Sequence, residues 1–105
     1  DQIVPILSLG GSGVISVLAN VLPKETHDIV EKYLAGDVVE SRKLQLGVNE
    51  LVSSLFIEVN PIPVKAAMNL MGMEAGELRL PLTNISEQNL AILRNNMMKY
   101  GIKVD

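Results

Sequence analysis

The sequence predicts an α/β chain that is mostly helical and carries a single strand with no neighbours of its own. Residues 13–19, GVISVLA, are apolar without alternation and follow Gly10 and Gly11. A strand buried on both faces of a parallel sheet has this pattern. From Pro23 onward, apolar residues recur by threes and fours, the period of amphipathic helices. Nothing else in the 105 residues reads as a strand. A strand carries donors and acceptors along both edges, and both rows need partners. Either GVISV is not a strand, or its sheet lies in another chain or in a part of the protein outside this sequence. The last reading is favoured.

Each element has its own grounds. Asp1 to Leu9 carries Ile3, Val4, Ile6, Leu7 and Leu9. Asp1 suits an N-cap and Pro5 is tolerated near the first turn, so a short helix ended by Gly10 and Gly11 is expected. Pro23 suits a first helical position, and Gly36 a C-terminal stop. The helix between them, to Ala35, would bury Ile29, Val30, Tyr33 and Leu34. Asp37 with Glu40 resembles a capping box and opens a helix from Val38 to about Phe56. Its apolar face is Leu44, Val48, Leu51, Val52 and Leu55. Gly47 costs that helix roughly 1 kcal/mol against Ala, which suggests that something packs closely there. Asn60 as cap and Pro61 as first residue restart a helix that ends at Gly72. Residues 73–85 read as irregular, broken by Pro81. Ser86 then caps a helix from Glu87 to Tyr100, with Leu90, Leu93 and Met97 inward and Gly101 closing it.

Composition narrows the function. The chain is 48% hydrophobic, enough to fill a core, which excludes a disordered tail. It has no Cys, so disulfide scaffolds, thiolate metal sites and cysteine nucleophiles are excluded. Twelve acidic against nine basic residues give a net charge of −3, with no basic run and only 3% aromatic residues. Neither nucleic acid nor an anionic membrane is expected as a partner. The longest apolar stretch, residues 13–22, is about half of what a membrane-spanning helix needs. No signal peptide is expected. The first residue is Asp1, without an initiator Met, and the apolar fraction is high for a free-standing domain; both suggest a piece of something larger.

Few residues invite chemistry. The cluster Gly10, Gly11, Ser12, Gly13 offers backbone to a small anion, but a phosphate loop needs a strand before and a helix after it. Here the order is reversed, and an ordinary tight turn is the better reading. Ser16 and Asn20 fall at or beyond the strand's C-terminal end, the edge that holds active sites in barrels and open parallel sheets. A Ser without a partner base is no nucleophile. His27 reads as a solvated helix residue, and no His or carboxylate cluster has metal-ligand spacing. Lys65 reads as a helix-surface lysine. Met68, Met71, Met73, Met97 and Met98 read as core or interface filler. Taken alone, these residues name no reaction.

Three strings add more. LGGSGVISVLANVLP (residues 9–23), FIEVNPIPVKAAMNLMGM (56–73) and LRLPLT (78–83) strongly resemble the C-terminal part of the dihydrodipicolinate synthase family, in the right order along essentially the whole chain. The resemblance implies a (β/α)8 TIM barrel followed by a small helical C-terminal domain. Residues 1–36 would end the barrel (last helix, strand, helix) and residues 37–105 would form the C-terminal domain. It implies a lyase (aldolase) that joins pyruvate to aspartate semialdehyde through a lysine imine (Schiff base), in lysine and diaminopimelate biosynthesis in the cytoplasm, as a tetramer or dimer. Its catalytic lysine, tyrosine, threonine and arginine would precede Asp1. No catalytic residue, metal ligand or cofactor is then expected in this chain, which alone would be inactive. Lys65 matches the NPIPVK lysine and not the imine lysine. Ile15 matches a position bordering the pyruvate pocket, with Gly11, Gly13 and Ser16 supporting it, and Leu9 one near a subunit contact. Partners would be the two substrates, the preceding part of the protein and further copies. The alternatives are a sibling pyruvate-dependent aldolase, which NPIPVK and LRLPLT count against, or a non-catalytic helical interaction module.

Overall fold

A computed structural model describes all of residues 1–105. The elements are α1 (Ile3–Ser8), a 3-10 turn at Leu18–Asn20, α2 (Pro23–Leu34), α3 (Val38–Leu55), α4 (Ile62–Leu70) and α5 (Glu87–Tyr100). The chain forms two compact units, Asp1–Asn49 and Glu50–Asp105, divided inside α3. No helix is long and apolar enough to cross a membrane.

In the first unit, Ile3, Leu7, Leu18, Val21, Leu22, Ile29 and Val48 are buried. No buried side-chain nitrogen or oxygen lacks a hydrogen-bond partner, as must hold where water cannot reach. Thr26 Oγ1 donates to the Leu22 carbonyl, and Ser41 Oγ donates to the Ile29 carbonyl, joining α3 to α2. Gln45 of α3 accepts the Val4 N–H at 3.1 Å. This last bond corrects the expected Asp1 cap: α1 starts after Gln2 with no side-chain cap, and a free amide of its first turn is satisfied from α3 instead. Asp37 Oδ1 does accept the Glu40 N–H, as the capping reading requires.

Two packing expectations change. Leu34, placed on the inner face of α2, is 58% exposed, while Thr26 is buried on that helix. A threonine that bonds its own preceding turn can be buried without an orphaned hydroxyl, so it can take an inward position. Gly47 has nothing within 4 Å of where a β-carbon would stand, so no close packing explains it.

Residues 13–19 do not form a strand, and the chain contains no strand. Residues 11–16 run without regular structure into the 3-10 turn. Ile15 is fully exposed at 107%, and Val14 is 42% exposed, against the expectation of burial on both faces. The reason is the one that made the segment conspicuous. A strand is defined by bonds to a neighbour, and these 105 residues supply none.

In the second unit, Leu51, Val52 and Leu55 from α3, Ile62, Val64 and Ala67 from α4, and Leu93 and Met97 from α5 are buried. The helix expected to start at Pro61 starts one residue later. Ile62 N–H closes a turn onto the Val59 carbonyl, with Pro61 at φ −102°, outside the helix. Asn96 of α5 donates to the buried Ser54 Oγ of α3, and Lys99 pairs with Glu50 at 2.7 Å. Ser86 caps α5 by accepting the Asn89 N–H, as its position predicts, and Gly101 ends the helix at φ +104°. Glu58, from the loop before α4, gathers the N-terminal end of α5. Its Oε2 accepts from the Asn89 amide, the Ser86 N–H and the Ser86 hydroxyl. Those donors, Asn89 foremost, hold the Glu58 carboxyl below its ordinary pKa.

Candidate functional site

The segment singled out by the sequence, Leu9–Val17, begins as a helix ending. Gly10, at φ +97°, donates to the Leu7 carbonyl, and Gly11 donates to the Ile6 carbonyl at 3.0 Å. These two bonds form a Schellman motif, in which a left-handed residue turns the chain back over the last helical carbonyls. A β-carbon on Gly11 would meet Ile6 Cγ2 at 2.8 Å and the Ile6 oxygen at 2.9 Å. Two glycines therefore stand here for different reasons, one for its φ and one for its closeness. The tight-turn reading of the cluster is the one the structure realises.

Beyond the turn lies a strip without regular structure. Gly13 is exposed, with open space where a β-carbon would stand. Val14 and Ile15 follow, and then Ser16, half-buried, accepts the Ala19 N–H at 3.2 Å. Ser16 thus satisfies an amide of the 3-10 turn and ends the strip, a structural task for its oxygen. Asn20, the other polar residue singled out there, bonds the Val17 carbonyl through its amide. Beside the strip, Gly13, Val14 and Ala19 with Thr26, His27 and Val30 of α2 border an open hollow of about 360 Å³. Leu9 stands 87% exposed at the head of the segment.

The chemistry available here is that of backbone and apolar side chains. Ile15, Gly11, Gly13 and Ser16 lie on one continuous segment, and none titrates near neutral pH. His27 is exposed beside Asp28, whose carboxyl is held down first by its bond to Lys24 and then by His27. No three His, Asp or Glu side chains come together as a metal site would require. Lys65 lies on α4 and donates to the Glu77 carbonyl, an occupied surface role. Of the methionines, Met97 is fully buried, while Met73 and Met98 are exposed. The residue that sequence reasoning missed is Ile6. Its carbonyl anchors the Gly11 turn, and its signal was present as a Gly-Gly pair just past a helix.

This architecture has close relatives. The family described as Dihydrodipicolinate synthetase matches residues 1–99. The 4-hydroxy-tetrahydrodipicolinate synthase of Clostridium perfringens is 63% identical over 102 residues, covering 97% of this chain and 35% of that protein. The solved dihydrodipicolinate synthase of Thermotoga maritima superposes with a TM-score of 0.93 at 44% identity, covering 96% of this chain and 34% of that one. A protein described as the first monomeric dihydrodipicolinate synthase variant superposes equally well, with a TM-score of 0.93 at 42% identity and coverage of 96% and 34%. The chain spans about 35% of the length of the curated relatives it matches. Its helices correspond to the C-terminal part of those TIM-barrel proteins. With one family matched along nearly its whole length, and its fold reproduced in solved members, the chain belongs to the dihydrodipicolinate synthetase family.

Proposed function

We propose that this chain is the C-terminal part of a 4-hydroxy-tetrahydrodipicolinate synthase, a cytoplasmic lyase that condenses pyruvate with aspartate semialdehyde through a lysine imine. Residues 1–36 would complete the barrel and residues 37–105 would form the helical C-terminal domain. The observation that carries this reading is the strip at Gly11–Ser16. It presents a fully exposed Ile15 and, from Ser12 to Ser16, a backbone with no backbone partner, in a chain that relatives about three times its length match along 97% of its residues. In the assembled barrel, the strip would pair with neighbouring strands on both edges.

Ile15 would then border the pyruvate pocket, mainly through its backbone. Strand-end N–H and C=O groups orient a small keto acid without adding a charge that would compete with the imine. Gly11, through its tight turn onto Ile6, fixes where the strip begins, and Ser16 fixes where it ends. Gly13 keeps the backbone uncovered between them. The imine lysine, the proton-relaying tyrosine and threonine and the carboxylate-binding arginine would come from residues before this sequence. No cofactor is required by such an imine mechanism. Leu9 would face another subunit of a tetramer or dimer.

The test is reductive trapping. The full-length protein incubated with pyruvate and borohydride should gain the mass of a reduced pyruvate adduct, on a peptide outside these 105 residues. A stable adduct on this chain alone would overturn the assignment of the imine lysine.

A further inference from the structure

The second unit holds a segment that its local structure does not hold in place. Residues 73–85 run from the end of α4 to the cap of α5 with no helix or strand, and the one backbone bond within them is Leu82 N–H to the Arg79 carbonyl. At its start the Met73 N–H bonds the Met68 carbonyl, and beyond that the segment is fastened to α4 by two side chains four residues apart. Lys65 Nζ donates to the Glu77 carbonyl. Asn69 uses both ends of its amide: Oδ1 accepts the Ala75 N–H at 2.9 Å, and Nδ2 donates to the Gly76 carbonyl at 3.1 Å. The segment is flanked by Gly72, at φ +79°, and by Ser86, which Glu58 clasps. Beneath it lies a pocket of about 380 Å³, walled by Ile62 and Leu70 of α4, by Leu90 of α5 and by Leu78 and Ile85 of the segment itself, with polar groups, Asn84 and Asp105 among them, also in its wall.

We propose that residues 73–85 are a strap that opens and closes as one unit over this pocket, held shut by Lys65 and Asn69. The inference is independent of the activity proposed above. Segments fastened by exposed side-chain bonds rather than by a ladder or a packed core open at far lower cost than the whole domain. Both fastenings pull on the same short stretch, residues 75–77, so losing either frees the strap's side of the pocket as a whole.

The experiment is hydrogen exchange at single-amide resolution in the intact protein. It compares wild type with Lys65→Met, which keeps most of the lysine's apolar stem, and with Asn69→Ala. The informative amides are Ala75 and Leu82, seven residues apart. Lys65 bonds neither of them. Lys65→Met is expected to speed exchange at both by the same factor, about three- to tenfold, while the amide of Leu93 in the α5 core is unchanged. Asn69→Ala should speed Leu82 similarly, although it bonds only residues 75 and 76. Unchanged Leu82 exchange in both variants would overturn the proposal, because the strap would not move as a unit. An equal rise at Leu93 would overturn it too, because the bonds would then hold the whole fold.

Discussion

The amide nitrogen of Gly11 lies 3.0 Å from the carbonyl oxygen of Ile6, so close that a β-carbon on Gly11 would stand 2.9 Å from that oxygen. The obstruction is backbone, which cannot swing aside as a flexible side chain would. Gly11→Ala is therefore expected to destabilise the fold by about 1–3 kcal/mol. Urea unfolding measures it, and an unchanged midpoint would show that the turn relaxes without cost.

Gly13 offers the complementary case, since it has open space at the β-carbon position. Gly13→Ala should leave the stability of these 105 residues within about 0.5 kcal/mol of wild type. In the full-length enzyme the same change falls on the strip proposed to line the pyruvate pocket. There, KM for pyruvate should rise. A full-length variant with unaltered kinetics would remove Gly13 from the site.

Ile15 makes a sharper demand, because it is fully exposed in this chain. Ile15→Asp should cost these residues little by themselves, since surface changes seldom exceed about 0.5 kcal/mol. In the full-length protein it would bury an unpaired carboxylate, which costs several kcal/mol and should abolish soluble enzyme or its activity. Equal, small effects in both contexts would contradict the burial of Ile15 by preceding strands.

Gly47 is an exposed glycine inside α3 with no neighbour near its missing β-carbon. Gly47→Ala should stabilise by about 0.5–1 kcal/mol, by restricting the unfolded chain and satisfying helix preference. A rise in thermal midpoint checks it. A loss would mean that a partner in the assembled protein fills the space.

Glu58 sets a pH dependence. Its folded pKa is depressed, chiefly by the Asn89 bond and then by Ser86, so the folded state holds the carboxylate more strongly than the unfolded chain does. The stability it contributes is fully present above the ordinary glutamate pKa and is lost as pH falls through the depressed folded value. Unfolding titrations from about pH 6 to pH 3 should show a steeper loss in wild type than in Glu58→Gln. Parallel curves would show that the clasp carries no linked proton.

Much of this was legible from local pattern. Ser86 before Glu87 and Gly101 after Tyr100 marked the ends of α5. Gly36 closed α2, and Asp37 opened α3 through its bond to the Glu40 N–H. Other features were not legible. Nothing near Glu58 announces Ser86 and Asn89, and nothing near Val4 announces Gln45, because each pair is far apart in sequence and meets only through packing.

The sequence by itself determined the helices, most of their ends and the family, whose strings run along the whole chain. Helix bonds close within a few residues, so local composition suffices to specify them. Only the tertiary structure decided that Thr26 goes inside and Leu34 outside, that Gly47 faces open space, and that Glu58 secures α5. It also decided the fate of GVISV. That segment has the composition of a buried strand, yet strand bonds must come from a neighbouring chain segment, and without one the same residues form no regular structure and Gly13, Val14 and Ile15 are exposed.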